Sequence, residues 1–388
     1  MGSKAARILS SILIGLGIST LSLFAAGIFL FNVQRSVLYF LLSIFFTSVI
    51  VFLVFWNIKN SKKVYFILLI PGMCLLAVIA IIGYQGYINN AKTVDEELFP
   101  HSRRYTPFDY NNTLAKPDEP SKLRVTGNFP VLDGATALYP VYASFVQAVY
   151  SEIEYEATSK NLLFCRGTEG AYNSLFEGKA DIIFCAGPSE TQLKQFNDNG
   201  IKLNFTAIGR EAFVFFVNNR NPVSNLTITD IQGIYSGKIE NWRELGWRNQ
   251  NIRVFQRPKN SGSQTMLEKI MDNTPIMEPR RENVASGMGD IINQVAVYRN
   301  FSNAIGYSFL YFSTEMVKNN QIKLLSISGI YPSKETIQND SYPFSDSFYA
   351  IHIETDEKNE NIDLFIEWIL SEQGQKLIEK TGYVPIRN

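Results

Sequence analysis

The chain has 388 residues, too many for one ordinary hydrophobic core, and its 36 basic and 36 acidic side chains give a formal net charge of zero. The charge is uneven: residues 1–88 carry six basic and no acidic side chains, residues 89–121 a net −2, and residues 122–388 a net −4. A mildly acidic remainder without a basic run excludes nucleic acid as a partner, because that affinity depends on neutralising phosphates with clustered Lys and Arg.

Three long apolar segments open the chain, at about residues 8–31, 37–56 and 64–88, and none of them contains a charged residue. Each is long enough to cross a hydrocarbon core of about 30 Å as a helix. We therefore predict that residues 1–88 form three transmembrane helices in contact with membrane lipid. The alternative is a signal peptide followed by buried core helices.

Basic residues near these segments predict their orientation, because Lys and Arg in short loops prefer the cytoplasm. Lys4 and Arg7 precede the first segment, and three lysines lie in the loop at residues 57–63, whereas the intervening loop has only Arg35. The amino terminus is thus expected in the cytoplasm. An odd number of spans then places everything after residue 88 on the outer face.

Residues 89–121 are polar, with four prolines and mixed charges, and this composition predicts a linker. Tyr105, Phe108 and Tyr110 make it more aromatic than a free tether requires. Part of the linker is therefore expected to pack on the domain that follows.

From Lys122 onwards, short apolar runs alternate with amphipathic segments, which predicts an α/β fold with a parallel sheet. Predicted strands at 123–126 and 162–165 each lead through small or hydroxyl residues into a helix, the first of these helices at 139–153, and a further strand follows at 181–185. Such junctions expose backbone N–H groups and the positive end of the helix dipole, so they favour an anion.

The sharpest of these junctions follows a predicted strand at 252–256, where Arg257 precedes a helix that starts at Ser261. The arginine offers a planar pair of donors, the serine hydroxyls add more, and Gly262 allows close approach of the backbone. Together with Ser263 they predict an oxyanion cradle. The alternative is that Ser261 is only a helix cap and Arg257 only a surface residue.

Seven sequence blocks, in order, resemble the phosphate-binding proteins of bacterial phosphate ABC importers, the PstS-like proteins with a type II periplasmic-binding-protein fold. The blocks are DGATALYP (133–140), RGTEGAYNSLFEGKADIIF (166–184), EAFVFFVNNRNPVSNLT (211–227), IQGIYSGKIENWREL (231–245), FQRPKNSGSQT (255–265), AIGYSFLY (304–311) and SEQGQKLIEKTGYVPI (371–386). The resemblance implies a solute-binding domain at 122–388 with two lobes, a cleft and a hinge. Lobe 1 would comprise about 122–207 and 312–388, and lobe 2 about 208–311.

The resemblance also implies that phosphate or a related oxyanion binds between these lobes, so that binding favours closure. The matching positions for ligand contacts are Thr136, Ala137 and Thr168 in lobe 1, and Arg257, Ser261, Gly262 and Ser263 in lobe 2.

One position departs from the family pattern. The family aspartate that accepts a hydrogen bond from a protonated phosphate aligns with Ala186, which offers no acceptor. Either Glu169 supplies the acceptor or the ligand need not carry a proton, and Glu169 is alternatively an ordinary acid in the first turn of a helix. Arg166 is either a second positive charge for the ligand or a surface arginine.

The three cysteines and two histidines have no zinc-ligand spacing, and neither a metal nor a cofactor is expected. Cys165 and Cys185 follow two strands that, in this fold, flank the first strand. Because adjacent strands are about 4.8 Å apart, a disulfide would have to span about twice that distance, so free thiols are expected.

Three functions compete for this sequence. The expected one is a binding protein, anchored in a bacterial cell membrane, that delivers phosphate to the permease of an ABC importer. The second is a sensor that signals through its helices to a membrane partner. The third is an enzyme with Ser261 as nucleophile, which is disfavoured because no base lies near that motif.

Overall fold

The computed structural model describes residues 103–158, 161–279, 283–284, 302–317, 319–355 and 359–386. The three predicted membrane spans at 8–31, 37–56 and 64–88 lie outside these residues, as does the linker before Arg103. Within the described ranges, no helix combines the length and the apolar character that crossing a bilayer requires.

The described residues form ten strands and nine α-helices in an α/β arrangement. The strands are β1 (Leu132–Gly134), β2 (Ile182–Cys185), β3 (Leu203–Asn218), β4 (Asn225–Leu226), β5 (Arg253–Val254), β6 (Ala304–Phe309), β7 (Ile322–Leu324), β8 (Ser326–Ile327), β9 (Ser345–Ile353) and β10 (Val384–Pro385). The helices are α1 (Tyr139–Val149), α2 (Glu152–Ala157), α3 (Gly167–Phe176), α4 (Glu190–Asp198), α5 (Ile228–Tyr235), α6 (Gly262–Met271), α7 (Lys334–Gln338), α8 (Asn361–Leu370) and α9 (Glu372–Thr381).

Four predicted elements are shorter than expected. The strands predicted at 123–126 and 162–165 are each reduced to one bridge, Val125–Tyr150 and Leu132–Leu163, and the strand predicted at 252–256 is reduced to Arg253–Val254. The helix predicted at 139–153 ends at Val149, because Tyr150 takes an extended backbone and its side-chain hydroxyl donates to the carbonyl of Pro130 at 2.7 Å.

The sheet is mixed rather than parallel, so that prediction was wrong. Its path runs β1-β2-β9-β3-β6-β5, with β7 and β10 also paired to β3. The pairs β1–β2 and β5–β6 are parallel, whereas β9 and β3 pair antiparallel with each other and with the strands beside them. The prediction rested on local strand-and-helix alternation, which does not reveal long strands that return from distant parts of the chain.

The strand β3 joins two lobes. Its residues up to Ala212 pair with β9, and those from Phe213 pair with β6. We call β1, β2, β9, β10 and the start of β3 the first lobe, and β4 to β8 with the end of β3 the second lobe. The pairing of β7 with β3 and of β8 with β4 places residues 322–327 in the second lobe, so the boundary predicted near 312 lies later, after Ile327.

Aromatic packing fills the core of the first lobe. Phe145 on α1 lies 5.9 Å from Phe184 on β2 and the same distance from Trp368 on α8, measured between ring centroids. Phe365 completes this group at 6.2 Å from Phe145. These contacts fix α1, and therefore the residues at its amino end, against the sheet.

Part of the predicted linker packs on the first lobe, as expected from its aromatic residues. Tyr105 is 3% exposed, and the ring of Phe108 lies 5.4 Å from that of Tyr155 on α2. Tyr110, by contrast, is exposed. The amide of Gln373 on α9 donates to the carbonyl of Pro120 at 3.1 Å, so α9 also holds this segment.

Candidate functional site

Three helix starts lie at the boundary between the lobes: the turn Thr136–Leu138 that leads into α1, the start of α3 and the start of α6. A small cavity of about 30 Å³ lies among them. It is lined by Ala135, Ala137, Leu138, Thr168, Ala186, Glu211, Phe213, Gly262, Met266, Phe309, Phe344, Asp346, Ser347 and Phe348. A cavity of this size has no room for a sugar or a peptide.

Three predicted site residues, Ala137, Thr168 and Gly262, line this cavity. Thr136, Arg257, Ser261 and Ser263 do not, but they are direct neighbours in the sequence or in the loop that leads to α6. The structure thus brings the predicted residues of both lobes to one place, although only some of them face the cavity.

The two lobes touch at Gly262. A Cβ atom at this position would lie 2.6 Å from Oγ1 of Thr168, so only glycine allows this approach. A second contact across the boundary joins Ser189 and Asn260, where the serine hydroxyl donates to the amide oxygen at 2.9 Å. The cleft is therefore closed in this structure.

The two serines at the start of α6, Ser261 and Ser263, differ in their hydrogen bonding. Ser261 is the helix cap, since its hydroxyl accepts from the amide of Gln264 at 3.3 Å, as the alternative interpretation of this residue proposed. Ser263 is 1% exposed, and its hydroxyl has no hydrogen-bond partner among the residues that the structure describes. A buried hydroxyl in that condition costs free energy.

The backbone of Arg257 is held by two residues that the sequence did not single out. Its amide donates to the hydroxyl of Tyr307 at 2.8 Å and to Oε1 of Gln264 at 3.1 Å, and the tyrosine hydroxyl also donates to that oxygen. Burial raises the pKa of Tyr307, so the phenol stays a neutral donor. The Nε atom of Arg257 is buried, which contradicts a simple surface role.

Arg166 does not serve the cavity as a charge. Its guanidinium donates to Asp133 at 2.6 Å and its amide donates to the same carboxylate at 2.9 Å, while Asp133 is completely buried. Arg166 is also the cap residue of α3. The pair therefore fixes the helix start that presents Thr168, and Asp133 is a positioning residue that sequence reasoning missed.

Glu169 is exposed in the first turn of α3 and does not line the cavity, whereas Ala186 does. This arrangement favours the ordinary interpretation of Glu169 as an acid near a helix amino end. The cavity instead contains two acids that the sequence did not indicate, Glu211 and Asp346. They stand opposite each other on β3 and β9.

Cys165 and Cys185 are free thiols, as expected, and the single bridge at Leu132–Leu163 together with the β1–β2 pairing places β1 between them. Burial raises the pKa of Cys165 to about 11 and that of Cys185 well above its usual value. The side chain of Thr136 opposes this shift in the pKa of Cys165, and that of Thr168 opposes the shift in the pKa of Cys185.

These features define a class: a two-lobed α/β protein with a small cavity among helix starts at the boundary between its lobes. A family model described as a PBP superfamily domain matches residues 130–373. Because this match covers well over half of the chain, the chain belongs to the PBP superfamily.

Individual relatives are distant but consistent with this family. The chain is 23% identical over 245 residues to the phosphate-binding protein PstS of Borreliella burgdorferi, covering 61% of this chain and 81% of that protein. It is 26% identical over 229 residues to PstS of Staphylococcus saprophyticus, covering 57% and 69%.

Solved structures show the same fold. A candidate phosphate ABC transporter substrate-binding protein of Clostridium perfringens, crystallised with bound phosphate, has a TM-score of 0.50 at 25% identity and covers 67% of this chain and 100% of its own. An ABC-type phosphate transport receptor of Vibrio cholerae has a TM-score of 0.51 at 22% identity and covers 66% of this chain and 99% of its own.

Proposed function

We propose that this chain is an extracytoplasmic solute-binding protein that captures phosphate, or a related oxyanion, between its two lobes for an ABC-type importer. The observation that carries the proposal is the meeting of Thr168 and Gly262, at the starts of α3 and α6, beside the cavity that both residues line. Helix starts bring N–H donors and a positive dipole end, which bind anions. The names of the relatives favour phosphate among the oxyanions.

The proposed ligand contacts come from both lobes. Thr136, Ala137 and Thr168 would bind from the first lobe, and Arg257, Gly262 and Ser263 from the second, with Ser261 as their cap. An anion bonded by both lobes stabilises the closed form relative to the open one. Affinity would arise from these local donors, because the domain as a whole is mildly acidic.

Ligand stabilisation tests the proposal directly. The full-length chain should be stabilised by about 2.7 kcal/mol when free phosphate is about a hundredfold above its dissociation constant. Thermal melts with phosphate, sulfate, molybdate or arsenate at millimolar concentration would show the shift, with sodium chloride at equal ionic strength as control. Melting midpoints that none of the four anions changes would refute an oxyanion ligand.

We further propose that the predicted spans at 8–31, 37–56 and 64–88 anchor the protein in the cell membrane with the amino terminus inside. A reporter enzyme fused after Asn388 should then be active only outside the cytoplasm, and one inserted at 57–63 only inside. The opposite pattern would contradict this orientation. It would also separate the binding domain from external ligand.

A further inference from the structure

Glu211 lies where the two lobes join. It is the last residue but one of β3 before the strand changes partner from β9 to β6. The residue is 8% exposed and it lines the cavity together with Thr168 and Gly262. A carboxyl group in this position stands at the floor of the cleft, between the helix starts of both lobes.

The two oxygens of the Glu211 carboxyl group differ in their hydrogen bonding. Oε1 accepts from the amide of Ala212 at 3.1 Å and from the amide of Tyr311 at 3.4 Å. Oε2 is buried and has no hydrogen-bond partner among the residues that the structure describes. Because Glu211 lines the cavity and buried polar atoms are usually hydrogen-bonded, this oxygen is placed to bond an atom of a bound ligand.

The charged and titratable groups around Glu211 do not neutralise it. Asp346 lies directly opposite Glu211 on β9. The carboxylate of Asp346 is paired with Lys269, whose Nζ lies 2.5 Å from Oδ2 of Asp346. Lys334 from α7 acts on Glu211 only weakly, and Tyr311 and Tyr383 are neutral phenols whose pKa values are raised by burial. Burial is the dominant influence and raises the pKa of Glu211 to about 8.

We propose that Glu211 is a ligand-facing residue of the cleft and that its protonation decides which oxyanions the cleft accepts. This inference rests on the proposed function and adds the residue that sets ligand choice. A neutral carboxylic acid donates a hydrogen bond to any oxyanion. A carboxylate can only accept one, so it tolerates an anion that carries a proton and repels one that does not.

This chemistry replaces the acceptor that is missing at Ala186 with one that depends on pH. The folded pKa lies above the usual value for Glu, so Glu211 is mostly protonated at neutral pH and ionises as the pH rises through about 8. Below about pH 8, the neutral Glu211 and the other hydrogen-bond donors of the cleft should bind sulfate and phosphate in the same way. Above it, only phosphate retains a proton that can bond to the carboxylate.

Titration calorimetry on the full-length chain, with sodium phosphate and sodium sulfate as the probes, tests this inference. Sulfate is fully ionised throughout, so any change in its affinity reports on the protein. At about pH 9 about one tenth of Glu211 would remain protonated, so sulfate affinity should fall about tenfold relative to neutral pH. Phosphate affinity should fall less.

The Glu211→Gln variant retains a donor that does not titrate, and it should bind sulfate equally at both pH values. Glu169→Gln serves as the matched comparison, because it removes an exposed acid that does not line the cavity and should leave the pH dependence in place. Melts without ligand, at the same two pH values, report separately whether Glu211 titrates: the wild-type midpoint should fall with rising pH relative to Glu211→Gln.

The outcomes separate the two proposals. If both anions bind but sulfate affinity does not change with pH in the wild-type protein, Glu211 does not face the ligand. The same conclusion follows if Glu211→Gln keeps the pH dependence or Glu169→Gln abolishes it. If neither anion binds at either pH, the oxyanion function itself fails, and this inference fails with it.

Discussion

Replacing Arg257 with alanine should weaken the binding of phosphate and sulfate alike, by about 1.5 to 3 kcal/mol, or about ten- to a hundredfold in affinity. The backbone amide of Arg257 is anchored to Tyr307 and Gln264, so the loop should keep its place when the side chain is removed. Under the proposed function, the variant removes the charged pair of donors that the guanidinium would offer to an oxyanion. Calorimetric titration measures the loss.

Two further variants identify the cause of that loss. Arg257→Lys keeps the charge without the planar pair of donors and should give an intermediate affinity. Lys259→Ala removes the same unit of charge from an exposed position in the same turn, and its effect should stay within about 0.5 kcal/mol. If Lys259→Ala weakens binding as much as Arg257→Ala, overall charge and not a local contact governs affinity.

Replacing Asp133 with alanine should lower the free energy of unfolding by about 3 kcal/mol, and phosphate affinity should fall with it. The buried carboxylate accepts from the amides of Gly134 and Arg166 and from the Arg166 guanidinium, and all three donors would lose their acceptor. The guanidinium is about one-third exposed, so its loss is moderated by water. The start of α3, which presents Thr168, would lose its support.

A second ion pair of the same lobe provides the control. Lys179 and Glu177 lie 2.6 Å apart, the same separation as Arg166 and Asp133, but both side chains are at least half exposed. Glu177→Ala should therefore cost less than about 1 kcal/mol. Urea unfolding curves of the two variants decide the matter, and equal losses would mean that burial of Asp133 contributes nothing.

The helix starts were predictable because their signals are local. A strand followed by Gly167 and Thr168, or by Ser261 and Gly262, announces a turn and a cap within a few residues. The structure begins α6 where these signals predict it, whereas α3 begins at Gly167 itself, where the signals predict the turn. Short segments of the chain were therefore enough to predict helix starts near Thr168 and Gly262.

The floor of the cleft was not predictable in the same way. Glu211 and Asp346 become neighbours only because β3 and β9 pair, across a separation of 135 residues. Within its own segment, Glu211 is one polar residue before an apolar run, and nothing local indicates that it is buried. The position of the second lobe boundary was not predictable for the same reason, since β7 and β8, which follow the boundary predicted near 312, pair with strands of the second lobe.

The uninterrupted passage of β3 between the lobes has a consequence for the order of events during capture. When two lobes rotate about the strand that joins them, residues near that strand move little, whereas residues far from it move over longer distances. Glu211 lies beside the point where β3 changes partner, while Thr168 and Gly262 meet across the boundary. An arriving anion would therefore meet the carboxyl group of Glu211 in nearly its final place, and the helix starts would close around the anion afterwards.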